Sequence, residues 1–411
     1  MRRLMIYIKK LMKVFVLFFY RIETLILQVH PEIVVFESNL GRNYTGNPKC
    51  IYEEMVARGL DKEYRCYVIL EDMNTTIPGA ATKVKRTRFQ YFYIMAMAGV
   101  IVSDSRMPKY IIKRKGVTYI QTWHGTPLKK LALDMDDVTM AGESDIETYK
   151  YNFAKNAATW DYLISQNQFS TKVFRQAFAF YKTMLEIGYP RNDVLFHKNN
   201  ETEIHKLKEM LDLPLDKKII LYAPTWRDDE FYGQGKYKFT SKLDFDEARK
   251  ALGDEYIFIV KYHYLVSDCI DWSKYKGFVY NFDMTYDISL LYLVSDLLIT
   301  DYSSVMFDYS LLRRPMFFYT YDLEKYRNEL RGFYFDLTKE APGPIVTTTT
   351  ELIHEIKHYD RSKYQQAYDA FHEKYNHADN GTASKQVVDL ILSFQKKKRY
   401  DQEKKQEFHV K

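Results

Sequence analysis

A regular alternation of short apolar strands and helical segments constrains the fold of this chain more than any other feature. Apolar, β-branched runs that end in polar residues lie at 33–36, 65–70, 100–105, 117–122 and 162–167. The second half repeats the pattern at 218–222, 256–260, 296–300 and 316–319. Helical patterns separate many of these runs, as at 49–58 and 89–98. Such alternation predicts parallel sheets with helices on both faces.

The length of the chain predicts more than one domain. A chain of 411 residues exceeds the size at which a single hydrophobic core usually stops growing. A charged stretch from Lys198 to Glu209 has the character of a linker and the first helix of a new domain. We therefore expect one α/β domain at 31–200 and a second at 201–395. A weak internal echo, Ile101-Val-Ser-Asp-Ser against Ile299-Thr-Asp-Tyr-Ser-Ser, favours two similar domains.

Charge and cysteine content narrow the functional class. The formal net charge of +6 is mild, whereas a dedicated nucleic-acid binder usually carries a dense basic stripe. The three cysteines, Cys50, Cys66 and Cys269, are scattered and show neither a disulfide framework nor zinc-ligand spacing. We therefore expect a protein of a reducing, cytoplasmic setting that does not bind nucleic acid.

The first 30 residues combine basic and bulky apolar side chains. Six lysines and arginines and no acid fall within residues 1–22, between runs such as 14–20. The longest uncharged run is far shorter than the roughly 18 residues that span a bilayer, and no signal-peptide cleavage pattern follows it. The pattern predicts an amphipathic helix in the membrane interface; the alternative is a helix packed on the protein's own core. The basic tail at 396–411 could attract anionic lipid or be a solvated end.

The segment from Tyr119 to Lys130 has the strongest chemical signature. A buried strand at 117–122 leads directly to His124 and Gly125, and Thr126 with Pro127 predicts the N-cap and first residue of a helix. A helix N-terminus attracts anions, and histidine exchanges protons near neutral pH. The sequence thus predicts a proton-transfer residue beside a phosphate site. The alternative is a buried histidine in a strand-to-helix turn.

Other polar residues fall at the ends of the predicted strands, where open α/β sheets bind ligands. This set comprises Ser103, His124, Thr225, Lys261, His263 and Ser303. Lys261 and Arg191 could neutralise phosphate charge, while Ser303 and Ser304 could either cap a helix or bind phosphate. The absence of Gly-x-Gly-x-x-Gly and Walker patterns disfavours a dinucleotide dehydrogenase and a P-loop ATPase. Asp134, Asp136 and Asp137 are better explained as a solvated loop than as a metal site.

Five motifs in a fixed order resemble one family. They are Trp123-His-Gly-Thr-Pro-Leu-Lys129, Tyr189-Pro-Arg-Asn-Asp193, Ala223-Pro-Thr-Trp-Arg227, Lys261-Tyr-His263, and Thr300-Asp-Tyr-Ser-Ser304 with Asp308. Together with the loop at 36–44, they resemble the CDP-glycerol glycerophosphotransferase family of teichoic acid synthesis. The resemblance covers roughly residues 30–390. It implies a GT-B fold, in which two Rossmann-like domains face each other across a cleft.

The resemblance also implies the site. It places CDP-glycerol against His124, Gly125, Thr126, Pro127, Leu128, Arg191, Thr225, Trp226, Lys261, Tyr262, His263, Ser303, Ser304 and Asp308. It implies neither a metal nor a cofactor. Two positions depart from the family pattern, because Trp226 stands where phenylalanine is frequent and Tyr264 where proline is frequent. The long amino-terminal extension of the family's polymerases is absent, which favours a short, primase-like member.

The resemblance implies a reaction in which an acceptor hydroxyl attacks the β-phosphorus of CDP-glycerol and CMP leaves. The hydroxyl needs a base, and His124 is the candidate, with His263 as its rival. The expected acceptor is an undecaprenyl-diphosphate-linked glycan at the cytoplasmic face of the membrane. The alternatives are ribitol-phosphate transfer from CDP-ribitol, a GT-B glycosyltransferase that uses a nucleotide sugar, and a noncatalytic scaffold.

Overall fold

The computed structural model describes residues 2–137, 145–225, 231–233, 236–239, 241–261, 266–268, 271–326 and 332–394. Three predicted site residues, Trp226, Tyr262 and His263, lie outside the described residues, and so does the basic tail at 396–411.

Seven parallel strands form the sheet of the first domain. They are β1 (His30–Glu37), β2 (Arg65–Leu70), β3 (Thr82–Lys85), β4 (Ala98–Ser103), β5 (Thr118–Gln121), β6 (Tyr162–Ser165) and β7 (Thr183–Glu186). Their order across the sheet is β3-β2-β1-β4-β5-β6-β7. Strand β3 lies outside the apolar runs from which the other strands of this sheet were predicted, and its residues include Lys83 and Lys85. The strand forms because Tyr67 to Leu70 of β2 offer it an open edge, which a local pattern does not reveal.

The second half contains a six-stranded parallel sheet and a small three-stranded one. Its strands are β8 (Lys218–Ala223), β9 (Phe231–Gly233), β10 (Lys236–Phe239), β11 (Tyr256–Val260), β12 (Val266–Asp268), β13 (Val279–Asn281), β14 (Leu297–Thr300), β15 (Met316–Tyr319) and β16 (Ile345–Val346). The large sheet has the order β13-β11-β8-β14-β15-β16, and β12-β10-β9 form the small sheet. Strands β4 and β14, which carry the internal echo, therefore hold equivalent places in two Rossmann-type sheets. The predicted GT-B class is confirmed.

Helices cover the two large sheets. They are α1 (Arg2–Ile26), α2 (Gly46–Ala57), α3 (Phe89–Met97), α4 (Ile146–Ala157), α5 (Gln168–Ala177), α6 (Asp193–His197), α7 (Glu201–Met210), α8 (Phe245–Leu252), α9 (Ile288–Val294), α10 (Val305–Tyr309), α11 (Leu323–Lys325), α12 (Leu337–Glu340), α13 (Thr349–Lys357), α14 (Arg361–Asn376) and α15 (383–394). Side chains cap several of them; Asp145, Asn167 and Asn200 each accept a backbone N–H in the first turn of α4, α5 and α7.

The last helix connects the end of the described chain to the first domain. Val387, Val388 and Ile391 of α15 are buried in the same apolar cluster as Val34 of β1 and Ile164 of β6. Asp193, at the start of α6, accepts the backbone N–H groups of Ala383 and Ser384. The chain therefore returns to the first domain after the second sheet, although the expected range 201–395 assigns α15 to the second domain.

Among the side chains of α1 that the structure describes, those on one face pack against the first domain. Tyr20 is buried and its hydroxyl accepts the backbone N–H of Ile112 at 3.1 Å, while Val16 and Leu17 pack on the core. Several large apolar side chains of α1 are exposed: Leu11, Met12, Val14, Phe15, Phe18, Phe19, Leu25 and Ile26. Among the described helices, none has the length and apolar character needed to cross a bilayer.

Candidate active site

A cavity of about 510 Å³ lies between the two domains, at the carboxyl ends of their strands. Both domains line it, as the predicted position of the site requires. Ten of the predicted residues are among its lining: His124, Gly125, Thr126, Pro127, Leu128, Arg191, Thr225, Lys261, Ser303 and Ser304. Asp308 is buried behind the cavity and does not line it.

His124 projects from a tightly held turn after β5. Trp123 adopts a left-handed backbone conformation with a φ of 51°, and its carbonyl accepts a hydrogen bond from the side-chain amide of Asn47 at 2.9 Å. The imidazole stacks on the Trp123 ring with centroids 4.5 Å apart. These contacts fix the ring where the strand ends, which gives His124 a defined orientation at the cavity wall.

The hydrogen bonds of His124 decide which ring nitrogen is basic. Nδ1 lies 3.1 Å from the backbone carbonyl oxygen of Asp104. A carbonyl oxygen only accepts hydrogen bonds, so Nδ1 carries the proton in the neutral ring and Nε2 is the basic nitrogen. His124 is exposed to the cleft, but the surrounding protein desolvates it and lowers its pKa, against the opposing charge of Asp104. The neutral, proton-accepting form is therefore favoured.

Asp104 is a site residue that the sequence reasoning missed. It lines the cavity beside His124, and its carboxylate accepts the backbone N–H of Asn39 at 2.7 Å and the Ser105 hydroxyl at 2.8 Å. Burial raises the pKa of Asp104, and the neighbouring His124 opposes that shift. The sequence singled out Ser103 instead, but Ser103 is fully buried one residue earlier. The signal that could have found Asp104 is its place directly after the end of β4.

The chain after His124 does not form the predicted helix. Thr126 is buried, and its hydroxyl donates to Gln166 Oε1 at 2.6 Å while Asn167 and Ser170 donate to it at 3.0 Å. The next residues run along the second domain, where Leu128 accepts the backbone N–H of Tyr334 at 2.8 Å. The predicted cap was wrong because tertiary partners take the hydroxyl that would cap a helix.

Gly125 lets the two domains approach each other at the base of the cavity. A Cβ atom at this position would lie 2.8 Å from the Ser304 hydroxyl oxygen and 3.0 Å from its Cβ. Ser304 is the N-cap residue of α10, although its side chain makes no capping hydrogen bond. Ser303 Oγ instead accepts the backbone N–H of Val305, over a long 3.5 Å. Any side chain larger than that of glycine would therefore separate the walls here.

Arg191 and Asp308 form a buried ion pair between the domains. The guanidinium donates to Asp308 Oδ2, while Asp308 Oδ1 accepts from Asn192 at 2.9 Å and from Gln166 at 3.2 Å. The Asp308 side chain is 1% exposed and that of Arg191 is 14% exposed. Asp308 thus fixes Arg191 at the cavity wall and bonds three side chains of the first domain.

Lys261 is a cation of the second domain that lines the cavity. It follows β11, and its ammonium donates to the backbone carbonyl oxygens of Asp283 and Tyr286. Burial lowers the pKa of Lys261 to about 8, although Asp283 and Asp287 act in the opposite direction. Thr225 follows β8, and its backbone N–H donates to Asp301 at 2.8 Å. Asp301 is therefore a structural cap of the strand ends.

The loop that holds Lys261 is also bonded to the first domain. Asp287 accepts the backbone N–H of Gly46 at 3.0 Å and the ammonium of Lys49 at 2.7 Å. We call Gly46, Lys49 and Asp287 the interdomain clasp. Beside it, Asn43 donates to the Met284 carbonyl at 3.0 Å. The sequence reasoning assigned no role to these residues, because their pairing joins segments about 240 positions apart.

The acidic loop after β5 has protein partners. Asp134 accepts from Gln176 at 2.9 Å and from the Tyr334 hydroxyl at 2.7 Å, and Asp136 pairs with Lys130 at 2.8 Å. In the part of the chain that the structure describes, no three histidine, cysteine or acidic side chains are grouped as metal ligands would be.

The fold and the cavity define a GT-B protein whose cleft presents a basic histidine and cationic groups suited to a phosphate-bearing ligand. Residues 18–393 match the family described as CDP-glycerol:poly(glycerophosphate) glycerophosphotransferase. The chain belongs to that family, as the sequence motifs predicted.

Named relatives agree with this assignment. The teichoic acid poly(glycerol phosphate) polymerase of Bacillus subtilis (strain 168) is 47% identical over 89% of this chain, which spans 49% of that relative's length. The protein of the same description from Bacillus spizizenii (strain ATCC 23059 / NRRL B-14472 / W23) is 45% identical over 89% of this chain and 93% of its own length. The teichoic acid glycerol-phosphate primase of Bacillus subtilis (strain 168) is 31% identical over 73% of this chain and 74% of its own length.

A solved structure has the same fold. The wall teichoic acid polymerase TagF, in a variant soaked with CDPG, superposes with a TM-score of 0.88 and 42% identity, over 96% of this chain and 98% of that one. The chain thus spans about half the length of some curated relatives and nearly all of this solved chain.

Proposed function

We propose that this chain transfers glycerol phosphate from CDP-glycerol to a hydroxyl group of a lipid-linked glycan during teichoic acid synthesis, and releases CMP. Family membership and the relatives' names support glycerol-phosphate transfer. The observation that carries the chemical step is the hydrogen bond from His124 Nδ1 to the Asp104 carbonyl, because it leaves Nε2 free to accept a proton.

In the proposed step, the acceptor hydroxyl loses its proton to His124 Nε2 as its oxygen attacks the β-phosphorus of the donor. The new oxygen–phosphorus bond forms while the bond between the β-phosphorus and the bridging oxygen breaks, and CMP departs with that oxygen. Negative charge spreads over the phosphoryl oxygens in the transition state. Lys261 and Arg191 are cations from opposite domains that line the cavity and could stabilise this charge. The reaction as proposed needs no cofactor.

The relatives favour chain extension over priming. Identity is 45–47% to the two glycerol-phosphate polymerases described above and 31% to the glycerol-phosphate primase described above. We therefore propose repeated addition of glycerol phosphate, in place of the single addition that the short sequence favoured. Mass analysis of the product separates the two, since repeated addition gives a ladder of masses and priming gives one increment.

We further propose that the protein works at the cytoplasmic face of the membrane, where a lipid-linked acceptor would be presented. The exposed apolar face of α1, which includes Leu11 (72% exposed), Val14 (66%) and Phe18 (58%), supports this location. Such a face gains free energy by lying in the interface between headgroups and acyl chains. Replacing these three residues by serine should abolish sedimentation with anionic vesicles, and retained sedimentation would refute the role of α1.

The central test replaces His124 by alanine and measures CMP release with CDP-glycerol and a synthetic lipid-linked disaccharide. We expect a loss of about 10²–10⁴-fold, the usual contribution of a positioned base, with CDP-glycerol binding largely retained in calorimetry. The matched control is His205→Ala on the exposed surface of α7, which should behave as wild type. Near-normal CMP release by His124→Ala would reject His124 as the base. Turnover of CDP-ribitol or a UDP-sugar in place of CDP-glycerol would reject the proposed donor.

A further inference from the structure

A second cavity lies in the first domain and is lined in part by the segment that follows β4. It has a volume of about 220 Å³, an apolar wall that includes Ile101, Met107 and Ile111, and a cationic side formed by Lys109, Lys113 and Lys155. We call it the lysine cavity. An apolar wall beside several ammonium groups suits an amphiphile with an anionic head.

The charges of the lysine cavity are not all neutralised by protein. Lys113 pairs with Asp161 at 2.8 Å. Lys109 and Lys155 are exposed, and among the described side chains neither has a carboxylate within ion-pair distance. Tyr119 also lines this cavity and donates its hydroxyl hydrogen to the Ser105 carbonyl. No carboxylate of the described residues therefore neutralises these two ammonium groups, and the Lys155 ammonium lies 5.9 Å from the Tyr151 ring centre.

One chain segment, residues 105–113, links the lysine cavity with α1 and with the active-site cavity. The segment that lines it also contacts α1, because the Ile112 backbone N–H donates to Tyr20 and the Lys13 ammonium lies 5.5 Å from the Tyr110 ring centre. Ile112 itself is 40% exposed and adds to the apolar surface near α1. On the other side, Ser105 lines the active-site cavity. The lining of the lysine cavity is therefore continuous in sequence both with the segment that contacts α1 and with the wall of the active-site cavity.

We propose that the lysine cavity binds the diphosphate and first isoprenyl unit of the acceptor lipid, while its glycan, with any glycerol phosphate units already added, extends past Ser105 toward His124. This inference rests on the proposed function for the identity of the lipid. The diphosphate supplies negative charge opposite the ammonium groups of Lys109 and Lys155, and the isoprenyl unit supplies apolar contact for Met107 and Ile111.

The first experiment tests binding without turnover. Geranyl diphosphate, a short water-soluble prenyl diphosphate, is titrated into wild type and into a Lys109→Gln, Lys155→Gln double variant by calorimetry. We expect the double variant to bind at least about tenfold more weakly, since it loses two charge-assisted hydrogen bonds to the diphosphate. The control, Lys115→Gln with Lys172→Gln, removes the same charge from two other exposed positions and should bind normally.

Three results would overturn the proposal: no binding of geranyl diphosphate to wild type, equal weakening in both double variants, or complete displacement by CDP-glycerol. Equal weakening would indicate a diffuse surface charge effect, and displacement would place the ligand in the active-site cavity. These results do not depend on transferase activity, so failure of this site and failure of the proposed function are distinguishable.

The second experiment uses the complete reaction. With a lipid-diphosphate disaccharide as acceptor, the Lys109→Gln, Lys155→Gln variant should raise the acceptor KM about tenfold or more and leave the KM for CDP-glycerol within about twofold. A soluble disaccharide acceptor that lacks the diphosphate should show no difference between the variant and wild type. A parallel loss with both acceptors would contradict the assignment.

Discussion

Replacing Asp308 by asparagine tests whether this residue binds the donor, as the motif resemblance implied, or acts by holding Arg191. The change keeps the shape of the side chain and removes its charge. It leaves the Arg191 guanidinium, 14% exposed, without its buried counter-ion. The Asp308 carboxylate accepts hydrogen bonds from Arg191, Asn192 and Gln166. The asparagine amide would have to direct its own N–H₂ group toward at least one of these donors.

The magnitude follows from the burial of the pair. Breaking a buried ion pair by removing one partner typically destabilises a protein by about 3–5 kcal/mol, and the value of 1% exposure for Asp308 places it in that class. We expect Asp308→Asn to lower the midpoint of urea unfolding and to reduce kcat/KM, because Arg191 loses its fixed position. The double variant Asp308→Leu with Arg191→Met should recover part of the stability without recovering activity, since it leaves no unpaired charge but removes the acceptor of Asn192 and Gln166.

The assay combines urea unfolding, followed by circular dichroism, with steady-state release of CMP. Lys374→Met with Glu340→Gln, which removes an ion pair whose side chains are 44% and 30% exposed, is the control, and it should change stability by no more than about 1 kcal/mol. The reasoning would be refuted if Asp308→Asn unfolded like wild type while the KM for CDP-glycerol rose. That result would mean that Asp308 acts on the ligand directly.

Three further predictions concern the cleft. Lys49→Asp or Asp287→Lys alone should raise the KM for CDP-glycerol about fivefold or more. The charge-swapped double variant should recover part of this loss, because directly paired residues couple by about 0.5–3 kcal/mol. Additive effects of the two substitutions would contradict a direct contact in the interdomain clasp. Activity should rise with pH through a value below 6.5, because His124 loses its proton there. Donor binding should weaken as pH rises through about 8, because Lys261 loses its charge. If a Lys261→Arg variant kept the same loss of binding near pH 8, Lys261 would not be the group that titrates. Gly125→Ala should reduce kcat/KM at least about tenfold, because its Cβ would lie 2.8 Å from the Ser304 hydroxyl; wild-type kinetics in that variant would show that the walls can separate freely.

Local patterns were sufficient to predict much of the architecture. Strands β1, β2, β8 and β11 were expected from their β-branched apolar runs, because a strand covered on both faces needs apolar side chains throughout its length. The position of the cleft followed from the polar residues at strand ends. Short edge strands such as β3 and β7 were missed, since their residues are half-exposed and gain their structure from the neighbouring strand.

The sequence by itself determined the two-domain α/β fold, its family, and the set of strand-end residues that meet in the cleft, because those depend on periodicity and on motifs within a few residues of each other. The tertiary structure alone decided what each residue does there. It directed the Thr126 hydroxyl into a buried network in place of a helix cap, placed Asp308 behind Arg191, and brought Asp104 to His124 and Asp287 to Lys49. Those contacts join residues up to 238 positions apart, and their energies depend on burial, which no local pattern specifies.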